Sequence, residues 1–147
     1  MSLILLLSGP NLNLLGEREP AVYGTTTLVD LVAIATDAAA TRGHTVEHLQ
    51  SNHEGDVVDA IHGARGRCAA IVINAGAFTH YSYAIADALK AYDGVKVELH
   101  ISNPSAREEW RHSSVIAPYV TGTVSGFGSA GYRLAIDAAV SQLEEHA

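Results

Sequence analysis

The chain has 147 residues, 48% of them hydrophobic, and sixteen acidic residues against nine Lys plus Arg give it a net charge of −7. That length suits one domain with a real core, while the acidic balance argues against nucleic acid as the main partner and requires local cations to hold any anionic ligand. The apolar runs, such as residues 3–7, are too short for a bilayer crossing or a signal-peptide core, which points to a soluble, cytoplasmic protein with no membrane partner.

The first element is the run "LILLL" at residues 3–7, continuous enough for a strand covered on both faces. It leads into "GPNLNLLGEREPAVYGTT", residues 9–26, which has neither helical nor strand periodicity. Such connections are usually lids, binding loops or disorder, and Leu12, Leu14, Leu15, Val22 and Tyr23 are too apolar for a solvated linker. The spacing Thr27 to Asp30 resembles a capping box and predicts a helix over 27–42, stopped at Gly43. "TVEHLQ" (45–50) reads as a strand, and Ser51 with Glu54 repeats the start signal for a helix to about residue 62, ended by Gly63.

Cys68 has no disulfide partner and opens the apolar run "CAAIVIN", whose residues 69–74 read as a central strand; a buried position suits it better than a nucleophilic role. Ala and Leu at helical spacing predict a helix over 82–92, up to Gly94. "KVELHI" (96–101) and "YVTGTV" (119–124) complete the strands. A last helix over 129–144 puts Tyr132, Ile136, Ala139, Val140 and Leu143 on one face. Strands alternating with helices imply right-handed crossovers and a parallel sheet. The simplest such α/β architecture is a flavodoxin-like, doubly wound five-stranded parallel sheet in the order 2-1-3-4-5.

A sheet of that kind binds ligands beyond the carboxyl ends of its strands, at the switch point between strands 1 and 3. Strand 1 ends in "SGPN", strand 3 in "NAGAFTH" and strand 4 in "ELHISN", so amides, hydroxyls and imidazoles converge there. Two other patterns carry less. "GFGSAG" at Gly126, Gly128 and Gly131 has dinucleotide-fingerprint spacing, but only 16 residues follow it, with no second strand and no ribose-binding acid; a tight strand-to-helix turn is the default. His44, His48 and His53 lack a Cys or nearby carboxylate to complete a metal set, and exposed polar positions account for them.

Glu98 and His100 are two apart on a strand and share a face. A carboxylate so placed holds an imidazole in one tautomer and raises its basicity, which suits a general acid; the alternative is the polar half of an alternating edge strand. Arg107 and Arg111 share a face if their stretch is helical, or else are surface arginines beside Glu108 and Glu109.

Five segments, "GPNLNLLGEREPAVYG", "INAGAFTH", "ELHISN", "REEWRH" and "GFGSAGYRLA", together resemble the type II 3-dehydroquinate dehydratases in order and spacing, in register from residue 3 to the last helix. The resemblance implies the flavodoxin-like fold, no metal and no organic cofactor, a homo-oligomer that is a dodecamer of four trimers, and conversion of 3-dehydroquinate to 3-dehydroshikimate and water in the shikimate pathway or in quinate breakdown. It implies that Tyr23 is the base removing a C2 proton, supported by Arg18, under a lid at 9–26. An ordinary tyrosine has a pKa of about 10, so work near neutrality needs about 4 kcal/mol of stabilisation of the phenolate, which a close guanidinium in a water-poor site can largely supply.

By the same resemblance His100, oriented by Glu98, protonates the leaving C1 hydroxyl in an anti elimination through an enolate, and Asn11 holds the water that stabilises that enolate. Ile101 and Ser102 meet the substrate carboxylate. Asn74, His80 and Arg111 bind the ring hydroxyls, Arg107 supports the site, and Asp87 reaches in from a neighbouring subunit. His80 and Asp87 are also placed where they could cap a helix start. Tyr81, Trp110 and Ser113 depart from the family's usual residues without removing a proposed catalytic group. Two other readings stay open: a flavodoxin-like small-molecule binding or regulatory module without turnover, and a Schiff-base enzyme. The second needs a buried lysine, and the only lysines are Lys90, near a helix end, and Lys96, at a strand start away from the site.

Overall fold

Two uninterrupted apolar strands, β1 (Leu3–Ser8) and β3 (Ala70–Asn74), lie side by side at the centre of the sheet, where both faces of a strand are covered. In the computed structural model, which describes residues 1–23 and 25–147, β2 (Thr45–Gln50), β4 (Val95–His100) and β5 (Gly122–Ser125) flank them in the order β2-β1-β3-β4-β5. Every pairing is parallel. Among the described residues the α-helices are α1 (Pro20–Tyr23), α2 (Leu28–Thr41), α3 (Glu54–Ala64), α4 (Tyr83–Lys90) and α5 (Ala130–Glu145).

The two-residue period of the strands divides the core. Ile4, Leu6, Ala70, Val72, Val97 and Leu99 pack with α2 and α5, whereas Leu5, Leu7, Ile71 and Ile73 pack with α3 and α4 on the other face. Each fully buried Leu or Ile contributes about 1.5–3 kcal/mol. On β4 the alternation leaves Glu98 and His100 opposite Val97 and Leu99, on the face away from α5, at the carboxyl end of the sheet.

Most boundaries follow the local chemistry read from the sequence. Thr27 caps α2 through a complete capping box with Asp30, and Gly43 follows the helix at φ 81°. Three expectations need correction. Ser51 and Glu54 form no capping box on α3: Ser51 Oγ donates to Asp56 Oδ2 at 2.6 Å and accepts the His53 amide, while Glu54 bonds Ser82. Gly63 does not end that helix, which continues to Ala64 ahead of Gly66 at φ 72°. The fifth strand starts at Gly122 rather than 119, because residues 117–119, with Pro118, form a 3-10 turn.

The connection over 9–26 is neither strand nor long helix. A 3-10 turn at Leu12–Leu14 and the single turn of α1 interrupt it, and Leu12 and Leu15 anchor it in the core. The Gly126 to Gly131 motif is a turn into α5. Gly126 and Gly128 have φ of 93° and 61°, and their amides donate to the carbonyls of His100 and Ile101, tying the turn to the end of β4.

Ser82, fully buried, caps α4 by accepting the Ile85 amide at 3.1 Å and donates to Glu54 Oε2 at 2.5 Å, which joins α4 to α3. Ser82→Ala removes the cap and leaves the Glu54 carboxylate without that donor. Its urea unfolding free energy is expected to fall by about 1–3 kcal/mol, with the circular dichroism spectrum of the folded state unchanged.

Candidate active site

A cleft opens where the carboxyl ends of β1, β3 and β4 meet, at the switch point of the sheet. Asn11 and Arg18 come from the connection after β1, Asn74 and His80 from the end of β3 and the 3-10 turn that follows (Gly76–His80). His100, Ile101, Ser102, Arg107 and Arg111 come from the end of β4 and the turns behind it. Pro10, Leu12, Ala77 and Pro104 supply apolar wall.

Behind this lining Glu98, 2% exposed, holds His100 Nε2 at 2.5 Å through Oε2. A carboxylate accepts, so the proton of that bond sits on Nε2 and Nδ1 is the ring atom available to other chemistry. Burying a carboxylate is costly without such a partner. The polar half of an edge strand does not describe this pair, because β4 is covered by β3 on one side and β5 on the other.

Asn74 is fixed at both ends of its amide: Nδ2 donates to the buried Tyr132 hydroxyl at 3.3 Å and Oδ1 accepts the Gly76 amide at 3.2 Å. Burial pushes the Tyr132 phenol up to about 12, so it stays protonated. Read from the sequence only as a core residue of α5, Tyr132 in fact supports a cleft residue from below. His80 Nδ1 donates to the Ser113 carbonyl at 2.8 Å, and its ring stands edge-on to Trp110, 5.4 Å between centroids. The Arg111 guanidinium lies 4.0 Å from the centre of the same indole, and its Nε donates to Glu108 Oε2 at 2.7 Å. Trp110 is therefore the platform that sets both His80 and Arg111, a role its spacing did not reveal.

Arg107 Nη1 donates to Ser102 Oγ at 3.1 Å, and Arg18 Nε lies 3.5 Å from Glu19 Oε2. Arg107 and Arg111 do not share a helix face; two 3-10 turns, Pro104–Ala106 and Glu109–Arg111, bring both to the cleft instead. The side chain of Tyr23 and the whole of Gly24 lie outside the described residues, while the Tyr23 backbone ends α1 on the stretch that carries Arg18. Asp87 is exposed in the middle of α4 and does not line this chain's cleft, nor does it cap that helix, whose cap is Ser82. His44 Nδ1 accepts the Ser2 amide and His48 Nε2 meets Ser8 Oγ at 2.9 Å. No group of three or more His, Cys, Asp or Glu that could hold a metal occurs among the described residues. Lys96 Nζ donates to the carbonyls of Leu89 and Tyr92, away from the cleft.

A family model described as dehydroquinase class II matches residues 2–140. A protein of Corynebacterium glutamicum (strain R) named 3-dehydroquinate dehydratase is 56% identical over 134 residues, covering 91% of this chain and 92% of its own. One from Pseudomonas putida named 3-dehydroquinate dehydratase 2 is 51% identical over 145 residues, covering 99% and 97%. The crystal structure of a type II dehydroquinase from Butyrivibrio crossotus superposes with a TM-score of 0.91 at 46% identity, covering 95% of this chain and 97% of that one.

Burial holds His48 and His80 below the ordinary histidine range; at His80 the Ser113 carbonyl opposes the shift, and nearby His100 and Arg111 add to it. A histidine with a depressed folded pKa stabilises the fold fully above its unfolded value of about 6.5, and loses that stability as pH falls through the folded value. Urea midpoints are therefore expected to fall on acidification below about pH 6.5, and His48→Gln is expected to flatten that dependence. An equal slope in the variant would remove His48 from the account.

Proposed function

Because the chain belongs to the class II dehydroquinase family, we propose that it is a hydro-lyase that removes water from 3-dehydroquinate to give 3-dehydroshikimate, a step of the shikimate pathway or of quinate breakdown. The observation that carries this reading is the buried Glu98–His100 pair opening on a cleft that also holds three arginines, two asparagines and His80. A general acid held in place by a buried carboxylate, beside cationic and amide groups, suits an elimination that begins on an anion and passes through an enolate.

In this mechanism the Tyr23 phenolate, stabilised by Arg18, takes the C2 proton, and the electron pair moves into the C3 carbonyl to form the enolate. Asn11, through a held water, stabilises the charge on that oxygen. The enolate then collapses to the C1–C2 double bond as the C1–O bond breaks, and His100, entering the step as the imidazolium with its Nε2–H held by Glu98, gives its Nδ1 proton to the departing hydroxyl, which leaves as water. The substrate carboxylate is taken by Ile101 and Ser102, with Arg107 fixing the serine hydroxyl. Asn74, His80 and Arg111 hold the ring hydroxyls. No cofactor or metal enters any of these steps.

The exposed Asp87, with Tyr81 and Tyr83 exposed nearby on the same helix start, supports completion of the site by a neighbouring copy in a dodecamer of four trimers. No described helix is long and apolar enough to cross a membrane, and a cytoplasmic location fits a step in small-molecule metabolism.

Purified protein added to 3-dehydroquinate with a chelator present is expected to raise the ultraviolet absorbance, because the product's conjugated enone absorbs and the substrate does not. No rise from folded, oligomeric protein would leave a binding module. Tyr23→Phe and His100→Ala are each expected to lose at least about 100-fold in kcat with the fold retained. Near-normal turnover in either would remove its assigned role. Borohydride added with substrate should leave activity intact, and a trapped adduct would replace the enolate route with a Schiff base. Active protein should elute as a trimer or larger, whereas an active monomer would refute the shared site.

A further inference from the structure

We infer that Gln50 and Asn52, which do not line the cleft, are positioning residues that set Asn11 for the reaction; this rests on the enolate-stabilising role proposed for Asn11 above. Asn11 lines the cleft in a left-handed conformation, φ 67° and ψ −3°, one of few positions where a non-glycine residue adopts it. Its orientation depends on what holds the turn over residues 9–13 from both sides. On the β3 side the hold is steric. Gly9 donates its amide to the Asn74 carbonyl at 2.8 Å, and a Cβ at Gly9 would lie 2.2 Å from the Ala75 carbonyl oxygen.

On the β2 side two amide side chains close the turn. The Asn11 backbone N–H donates to Asn52 Oδ1 at 3.0 Å. Gln50 Nε2 faces the Gly9 carbonyl at 3.1 Å, Asn52 Oδ1 at 3.2 Å and Asn13 Oδ1 at 3.5 Å. The backbone partners decide which end of each amide faces inward. A backbone N–H must meet an oxygen, so Asn52 presents Oδ1, and a backbone carbonyl must meet a donor, so Gln50 presents Nε2. Gln50 ends β2 in register with Ser8, and Ser51 between the two amides is anchored to Asp56 of α3. The turn that carries Asn11 is thus referenced to the sheet on one side and to α3 on the other.

This assignment of donor and acceptor predicts an asymmetry that a general packing role does not. Asn52→Asp keeps both bonds, because an ionised carboxylate only accepts, whereas Asn52→Leu loses them. Gln50→Glu sets a carboxylate oxygen against three acceptors. Gln50→Glu and Asn52→Leu are therefore expected to lower kcat about 10- to 100-fold, with KM changed much less, since an ångström of misplacement costs rates of that order. Asn52→Asp is expected to keep kcat within about twofold, and any effect of its added charge on an anionic substrate falls on KM.

Steady-state kinetics on the four proteins, with amide hydrogen exchange of residues 9–13 measured in parallel, tests this directly. Faster exchange in Asn52→Leu but not in Asn52→Asp, with the matching pattern in kcat, is the expected result. Wild-type kcat in Gln50→Glu, or Asn52→Asp as impaired as Asn52→Leu in both kcat and exchange, overturns it. If Gln50→Glu melts early, the two Asn52 variants decide alone. A wild-type chain without turnover overturns the proposed reaction instead, and exchange at the Asn11 amide then decides whether the two amides hold the turn.

Discussion

A carboxylate taken out of water must find compensation in place, and in this fold Glu98 finds it in His100. The strand period puts the two on one face, and the parallel register seats them between β3 and β5, where Ile73 and Thr123 are the neighbours of Glu98. Much of the cleft can be read outward from that bond. The carboxylate fixes which ring nitrogen is protonated, and the other nitrogen is left for chemistry. The glycine turn at 126–128 then binds the carbonyls of His100 and Ile101, so the backbone that carries the imidazole is held from the α5 side as well.

The same economy governs charge. The chain is acidic overall, yet three of its seven arginines line one cleft, while Arg42, Arg67 and Arg133 pair with carboxylates elsewhere. In the cleft, Arg18 and Arg111 lean on Glu19 and Glu108, whose side chains are more than half exposed. Pairs so exposed contribute little to stability and exchange readily. The carboxylate partner of Arg111 is thus already in water, so displacing it costs less than displacing a buried one.

How much of this was legible in the sequence depended on whether the information was local. The central strands, the capping box of α2 and the helix faces follow from residue order alone, and strand alternation with helices was enough for the sheet order. The pairing of Glu98 with His100 was legible because both lie on one strand. The failures at Ser51 and at Trp110 share a cause. Ser51 has the residues of a cap, but Asp56 captures its hydroxyl and Ser82, 28 residues further on, captures Glu54. Trp110 sets His80 only because the chain returns after thirty residues to the end of β3. Neither partner choice is written in local spacing. The five motifs named the cleft residues by resemblance, whereas Tyr132, although it lies within the fifth motif, read only as part of the core face of a helix, because its bond to Asn74 spans 58 residues.

Under the function proposed above, the long connection after β1 has to meet two demands that oppose each other. A segment that covers a ligand must be able to leave, yet a residue that stabilises a developing charge must not move during the reaction. The chain separates the two along its length. Residues 9–15 are pinned, with Gly9 against Ala75, Asn11 on Asn52, and Leu12 and Leu15 buried. Beyond Gly16, at φ 94°, the chain carries Glu19 at a positive φ, a four-residue helix with exposed Ala21 and Val22, and the Arg18–Glu19 ion pair. So short a helix has little stability of its own in water and depends on what it packs against. The division puts the pinned residues next to the sheet and the exposed ones at the far end, and it matches the apolar first half of the connection.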